Sequence, residues 1–308
     1  MEIYKKIKRE NHRWNNTIEY IKFKEIKEIS LHSMNVQSVN SNLFTDLEML
    51  EEISLTWNPL QYLPIGIFKG LVNLKAIYLG DIKLKELNPG IFTECKNLKS
   101  LLLGLNRIES LPAGIFDGLE NLETIQLNSN EIKELNPYTF RGLKKLNTLD
   151  LGMNKIVELP DGIFEGLVNL EGINFYENQI EVLNSNVFKG LVSLKKINFS
   201  SSKIKSLPAG IFEGLENLEA ILIDSNQIEK LDSNMFKGLK SLNEVNLSFN
   251  KIQVLADGIF KDFKNLEYSV VRIEVDKNYL LLIFKGPTGD IVFNLSYNKI
   301  NSLPDGIE

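Results

Sequence analysis

The chain has 308 residues, 43% hydrophobic and 24% charged, which is ample apolar material for a buried core. A formal charge of −5 and an isoelectric point near 5.4 argue against a nucleic-acid partner, which needs a basic face. No apolar run of about 18 residues is present to span a membrane, and a single cysteine cannot form an intrachain disulfide.

In chain order, the N-terminus MEIYKKIKRE lacks the apolar core of a secretory leader. Residues 1–16 are charged and polar, and partial disorder is expected there. Residues 17–23, TIEYIKF, alternate like a strand and are expected to cap whatever follows, so that 1–25 reads as a tail with a capping strand.

From Ile26 a repeat takes over. Phenylalanine recurs at 44, 68, 92, 116, 140, 164, 188, 212, 236 and 260, always 24 residues apart, and Phe284 falls on the same grid. Units begin at Ile26, Leu50, Leu74, Leu98, Leu122, Leu146, Leu170, Leu194, Leu218 and Leu242, and follow LxxLxLxxNxIxxL then xxxxFxGLxx. Ten such units fill 26–265 without insertion or deletion. A 48-residue super-period lies over them: LP-x-GIF at Leu63, Leu111, Leu159 and Leu207 alternates with LN or LD turns at Leu87, Leu135, Leu183 and Leu231. Each proline is expected to end the extended stretch and fix the following turn.

In LxLxx alternate side chains point to opposite faces, so the leucines enter the coil and the x positions leave it. One coil cannot bury its leucines alone, whereas stacked coils share a continuous core. The phenylalanine column is expected to form a buried spine on the return side, where Phe→Ala costs about 3–5 kcal/mol.

Beyond 265 the pattern weakens. A degenerate unit is expected from Leu266 and a truncated one from Asp290, within 266–308. SVVRIEVDKNYLLLIFKGPTGDIVFNLS reads as three short strands, and the retained grid positions Phe284 and Asn298 favour a decayed repeat over an insertion. The chain stops at LPDGIE, which predicts an uncapped apolar end coil prone to self-association.

The repeat resembles the leucine-rich-repeat family, in its 24-residue subclass. The resemblance implies an α/β-type repeat solenoid: a curved horseshoe with a concave parallel β-sheet and an irregular or 3₁₀ convex side. It also implies that the asparagines at 58, 106, 130, 154, 178, 226, 250 and 298 turn inward and bond the backbone of adjacent coils. Met34, Ile82, Ser202 and Glu274 interrupt that column, and irregularity is expected at Met34 and Ile82. The functional implication is a non-catalytic protein-binding scaffold, in the manner of a receptor ectodomain or secreted recognition protein. The alternatives are an intracellular or bacterial interaction protein and a self-associating structural one. The subclass favours an extracellular setting; the missing leader and lone cysteine favour the cytoplasm.

Counting from the first leucine of each unit, positions three, five, seven and eight are expected to face solvent on the sheet side. Residues there that fit a protein partner are Trp57, Tyr78, Leu102, Leu105, Met153, Tyr176, Leu222 and Phe249, with the acids Asp81, Asp150, Glu177 and Asp224. Aromatic residues are common interface anchors, and the acids favour a basic partner. Catalytic and metal chemistry finds little support. His12 and His32 read as surface histidines, Cys95 occupies a core leucine slot, and no phosphate loop or metal-ligand spacing occurs, so no cofactor or metal is expected. The Asn-x-Ser/Thr triplets at Asn15, Asn198, Asn246 and Asn294 are expected to arise by chance in an Asn-rich repeat.

Overall fold

The computed structural model describes residues 25–261, 267–268, 278–286 and 289–304. They divide into two compact units, one of residues up to 132 with 142–146, the other of 133–141 with 147 onward. The expected capping strand at 17–23, His12, Asn15, Glu274 and the expected strand SVVRIEV lie outside the described residues.

In the first unit, β1 (Glu28–Ser30), β2 (Glu52–Ser54), β3 (Ala76–Tyr78), β4 (Ser100–Leu102) and β5 (Thr124–Gln126) are three residues each. Each pairs in parallel with the next, placing Ile29, Ile53, Ile77, Leu101 and Ile125 in one row. In the second unit, β6 (Thr148–Asp150), β7 (Gly172–Asn174), β8 (Lys196–Asn198), β9 (Ala220–Leu222) and β10 (Glu244–Asn246) repeat the arrangement. Leu149, Ile173, Ile197, Ile221 and Val245 form the corresponding row. The step of 24 residues per rung is the sequence period itself, so each unit is a leucine-rich-repeat solenoid with a parallel sheet.

On some rungs a side-chain turn follows the strand. At position five, Asp150, Asn174, Asn198 and Asn246 each accept, through Oδ1, the backbone N–H two residues on, at 2.9–3.1 Å. Bonds between coils continue past it, as from the Met153 N–H to the Tyr176 carbonyl at 2.6 Å and from the Ser201 N–H to the Asp224 carbonyl at 2.9 Å. At position eight the backbone is left-handed, from Trp57 (φ 59°) to Phe249 (φ 53°), and the extended run ends there.

The return side is a chain of i→i+3 turns. Pro160 accepts from the Ile163 N–H at 3.2 Å, Gly162 from Glu165 at 2.8 Å, and Phe164 from Leu167 at 3.2 Å. The 48-residue alternation has a local explanation. Where proline is replaced, the side-chain oxygens of Asn136, Asn184 and Asp232 accept the N–H two residues on at 2.8–2.9 Å, building the same corner by another means.

The core follows the two rows and the spine. Phe68 and Phe92 stack at 5.9 Å between centroids, Phe164 and Phe188 at 6.4 Å, and Phe188 and Phe212 at 6.3 Å, all buried. The asparagine column behaves as the family resemblance implies. Asn106 donates to the carbonyls of Leu79 (2.8 Å) and Leu103 (2.9 Å), and its Oδ1 accepts from Ile82 and Leu84, both at 3.0 Å. Where the column fails, the backbone departs. The residues following Met34 and Ile82, Asn35 (φ 54°) and Lys83 (φ 64°), are left-handed, which no position-ten residue after an asparagine shows. Ser202 keeps an ordinary backbone there, but its Oγ is buried without a hydrogen-bond partner among the described residues.

The C-terminal part corrects the decayed-repeat expectation. The strand that follows β10 in the parallel ladder is β13 (Gly289–Asn294), with Val245 opposite Phe293, a step of 48 residues. β12 (Leu281–Gly286) runs antiparallel to β13, and β11 (Glu267–Tyr268) antiparallel to β12. Phe284 therefore lies on an antiparallel strand, where it packs against Phe260 of the column at 5.2 Å and against Phe293 at 5.6 Å. The open end expected on the sheet side is covered by β12, which pairs along the outer edge of β13. YLLLIFK and DIVFNLS supply these two strands, as the DKN and GPTGD turn signals in the sequence predict.

Candidate interaction face

Position eight governs the face. Trp57, Asp81, Leu105, Ser129, Met153, Glu177, Ser201, Ser225, Phe249 and Tyr297 all have positive φ between 51° and 59°. A left-handed backbone is cheap for Gly or Asn and strained for a bulky side chain. Four of these residues are large, apolar and about half exposed: Trp57 59%, Leu105 51%, Met153 48% and Phe249 53%. Each thus carries two unfavourable features, strain and hydration, where the column also accommodates Ser or Asp.

The first unit contributes Trp57, Tyr78, Asp81, Leu102 and Leu105. Trp57 and Leu105 are exposed, and Tyr78, Asp81 and Leu102 half-buried. His32 sits beside Trp57, ring centroids 6.4 Å apart, and its Nδ1 shares a hydrogen bond with Thr56 Oγ1 at 2.8 Å. The Tyr78 hydroxyl is held above its usual range, chiefly by burial and then by the carboxylates of Glu52 and Glu28.

The second unit contributes Asp150, Met153, Tyr176, Glu177, Leu222, Asp224 and Phe249. Met153, Glu177 and Phe249 are exposed; the other four are half-buried. Asp150 accepts from Asn174 Nδ2 at 2.9 Å. Asp224 accepts from Ser200 Oγ at 2.5 Å and Asn246 Nδ2 at 3.1 Å through one oxygen, and from Ser225 Oγ at 3.1 Å through the other. The Tyr176 hydroxyl donates to Glu177 Oε1 at 2.6 Å, and that bond, with the Glu177 charge, raises its pKa above the ordinary phenol value.

Position seven departs from expectation. Gly104, Gly152, Ser200, Ser248 and Ser296 are buried, because polar side chains on the same sheet lie over them. A Cβ at Gly104 would meet Asn128 Oδ1 at 2.7 Å, and one at Gly152 would meet Asn174 Nδ2 at 3.0 Å. Tyr176 and Asp224 occupy this position and are correspondingly half-buried.

Charge on the face is unbalanced. Over positions three, five, seven and eight, the first unit carries Glu28, Glu52 and Asp81 with no lysine or arginine. The second carries Asp150, Glu177, Asp224 and Glu244 against Lys196. The net of −6 on these positions exceeds the −5 of the whole chain, so the remainder is slightly positive. Sequence reasoning missed Tyr297 and Tyr279; extending the position-eight count one rung further would have found Tyr297. Phe249 and Tyr297 stack at 4.1 Å and 8°, and Tyr279 meets Tyr297 edge-on at 5.1 Å.

Among the described residues, other chemistry finds no assembled site. Cys95 is buried, and burial pushes its thiol up to about 12. Among the described residues there is no group of three or more His, Cys, Asp or Glu placed to hold a metal ion, and no helix long and apolar enough to cross a membrane.

Comparisons follow the geometry. A leucine rich repeat family model matches residues 50–104 and 96–156, and a BspA type leucine rich repeat region matches 157–278. Among curated proteins, none matches the sequence. Among solved structures, TLR13 in a TLR13–ssRNA13 complex is 26% identical over 74% of this chain and 37% of its own, with a TM-score of 0.58. Toll in the Toll–Spatzle complex of Drosophila is 20% identical over 81% of this chain and 36% of its own, with a TM-score of 0.65. A leucine-rich-repeat protein of Leptospira interrogans is 20% identical over 94% of this chain and 89% of its own, with a TM-score of 0.53. The chain thus spans little more than a third of the length of the first two.

Proposed function

The chain belongs to the leucine-rich-repeat family, and on that premise we propose that it is a non-catalytic scaffold that binds a basic protein partner through the sheet-side face of its coils. The observation that carries this is position eight, where Trp57, Leu105, Met153 and Phe249 combine a strained backbone with exposed apolar surface. Such residues reduce stability in the free protein, and a bound partner would cover them. The acidic surplus on the same positions supports a basic partner, because such a surface attracts lysine and arginine and repels a phosphate backbone. Toll and TLR13 were each solved in complex, with Spatzle and with ssRNA13, and support ligand binding by this fold. For this chain the acidic face favours the protein type of ligand.

A second reading, a bacterial-type interaction protein in place of a receptor ectodomain, is favoured by the BspA type match over 157–278 and by the coverage shared with the Leptospira protein. Both readings use the same face. The test compares the wild type with Trp57→Ala and Tyr176→Ala in affinity capture followed by mass spectrometry. Basic proteins retained by the wild type, lost from the variants and released by moderate salt would support the reading. Equal retention by variants of unchanged thermal stability would remove it.

A further inference from the structure

The segment that interrupts the repeat has a consequence for the face. Phe249 and Tyr297 occupy position eight on successive rungs of the second unit, because β13 follows β10 directly. Their rings are 4.1 Å apart and 8° from parallel, with both backbones left-handed. The turn before β12 adds the third ring. Asn278 accepts the Tyr297 N–H through its carbonyl at 2.6 Å, and the adjacent Tyr279 sets its ring edge-on to Tyr297 at 5.1 Å. Tyr279 is 41% exposed and Phe249 53%, and Tyr297, which joins them, is half-buried.

One carboxylate stands close. Asp224 lies one rung before Phe249 and is tied to that rung through Asn246, whose own Oδ1 accepts from Ser248. Glu244, at position three of the Phe249 rung, adds charge to the same face farther along the strand, while Lys251 and Lys299 follow the two rings beyond the turn. An aromatic stack with a carboxylate beside it suits a planar cation. A guanidinium lies flat on a ring while its N–H groups reach carboxylate oxygens, whereas an ammonium is more strongly hydrated and cannot stack.

The geometry points to Phe249, Tyr297 and Tyr279 as an arginine-binding platform, built jointly by the repeat and the appended hairpin, that anchors a basic segment of the partner. It rests on the proposed basic-partner reading and sharpens it from charge to side-chain type.

The test uses the full chain and two labelled probes, octa-arginine and octa-lysine, with affinities measured by fluorescence anisotropy at low ionic strength. The wild type should bind octa-arginine about three-fold or more tighter than octa-lysine, the scale of an exposed cation–π contact. Phe249→Ser, which places at position eight the residue already found at Ser201 and Ser225, should bring that ratio to about one while octa-lysine affinity stays within two-fold. Tyr138→Ala, which removes an exposed ring on the return side, should keep the ratio. Equal wild-type affinities, a ratio that survives Phe249→Ser, or a ratio lost in Tyr138→Ala would each overturn the platform and leave the basic-partner reading standing. Binding of neither peptide would overturn both.

Discussion

The rings of Phe175 and Phe199 lie 5.1 Å apart and 3° from parallel. Both replace the inward leucine of position six, and each meets a spine phenylalanine edge-on: Phe175 meets Phe164 at 6.1 Å, and Phe199 meets Phe188 at 5.7 Å. Sheet side and return side are therefore bridged by aromatic contact across these coils. Phe188→Ala, which also removes stacking on Phe164 and Phe212, should lose about 3–5 kcal/mol of stability. Phe175→Leu, which restores the residue found on neighbouring rungs, should lose clearly less. Urea denaturation of the two variants checks the order.

Ser202 stands where the column elsewhere has asparagine, and its buried hydroxyl has no partner among the described residues. In neighbouring coils the asparagine accepts an N–H from the preceding coil, as Asn226 does from Ile204 at 3.0 Å, and donates to carbonyls such as Phe199 and Ile223. Ser202→Asn would place the same donors toward Phe199 and Phe175 and an acceptor toward Ile180. Each net hydrogen bond contributes about 1 kcal/mol, so the variant should melt several degrees higher. An unchanged or lower melting temperature in differential scanning calorimetry would contradict this account of the column.

Leu105 is exposed with φ 59°. Asparagine tolerates that backbone and loses nothing by hydration there, so Leu105→Asn should raise stability by up to about 1 kcal/mol. If the face binds as proposed, the same change should weaken capture of the partner. A variant that is more stable and binds less well is the expected outcome, measured by thermal denaturation and by the capture assay.

Cys95 is buried, with its thiol pushed up to about 12 by burial first and by Glu94 second. The reactive thiolate is therefore scarce at neutral pH. Ellman's reagent at pH 8 should label the native protein slowly and the urea-unfolded protein at once. Fast native labelling would show that the coil around Cys95 opens readily.

Much of the fold was legible in the sequence because a one-dimensional repeat writes its contacts as a period. The 24-residue phase of the leucines gives the ladder register directly, and the asparagines mark the coil-to-coil bonds. The C-terminal part was not legible for the same reason. Asn298 kept both phase and the column's bonds on the rung that β13 builds, whereas Phe284 kept phase on an antiparallel strand, since phase alone does not distinguish a decayed coil from a hairpin of equal length. On the face, alternation correctly separated inward from outward residues at positions four, five and six. It misjudged position seven, because which side chain lies over which is decided by folded-over amides such as Asn128 and Asn174, and alternation carries no information about them. The left-handed backbone of position eight was likewise invisible in a column that holds Trp, Asp, Leu, Ser, Met, Glu, Phe and Tyr.

Pairing of Val245 with Phe293 has a kinetic consequence. Within each unit, up to β10, each strand docks on the one 24 residues before it, so assembly can advance coil by coil as soon as the chain reaches that far. The last parallel strand must span twice that distance, which adds about 0.6 kcal/mol of loop-closure entropy. It gains its own antiparallel partner, β12, from within the span. Local hairpin formation can therefore precede docking, and the terminus should join the stack as a preassembled piece, a step later than the coils it closes.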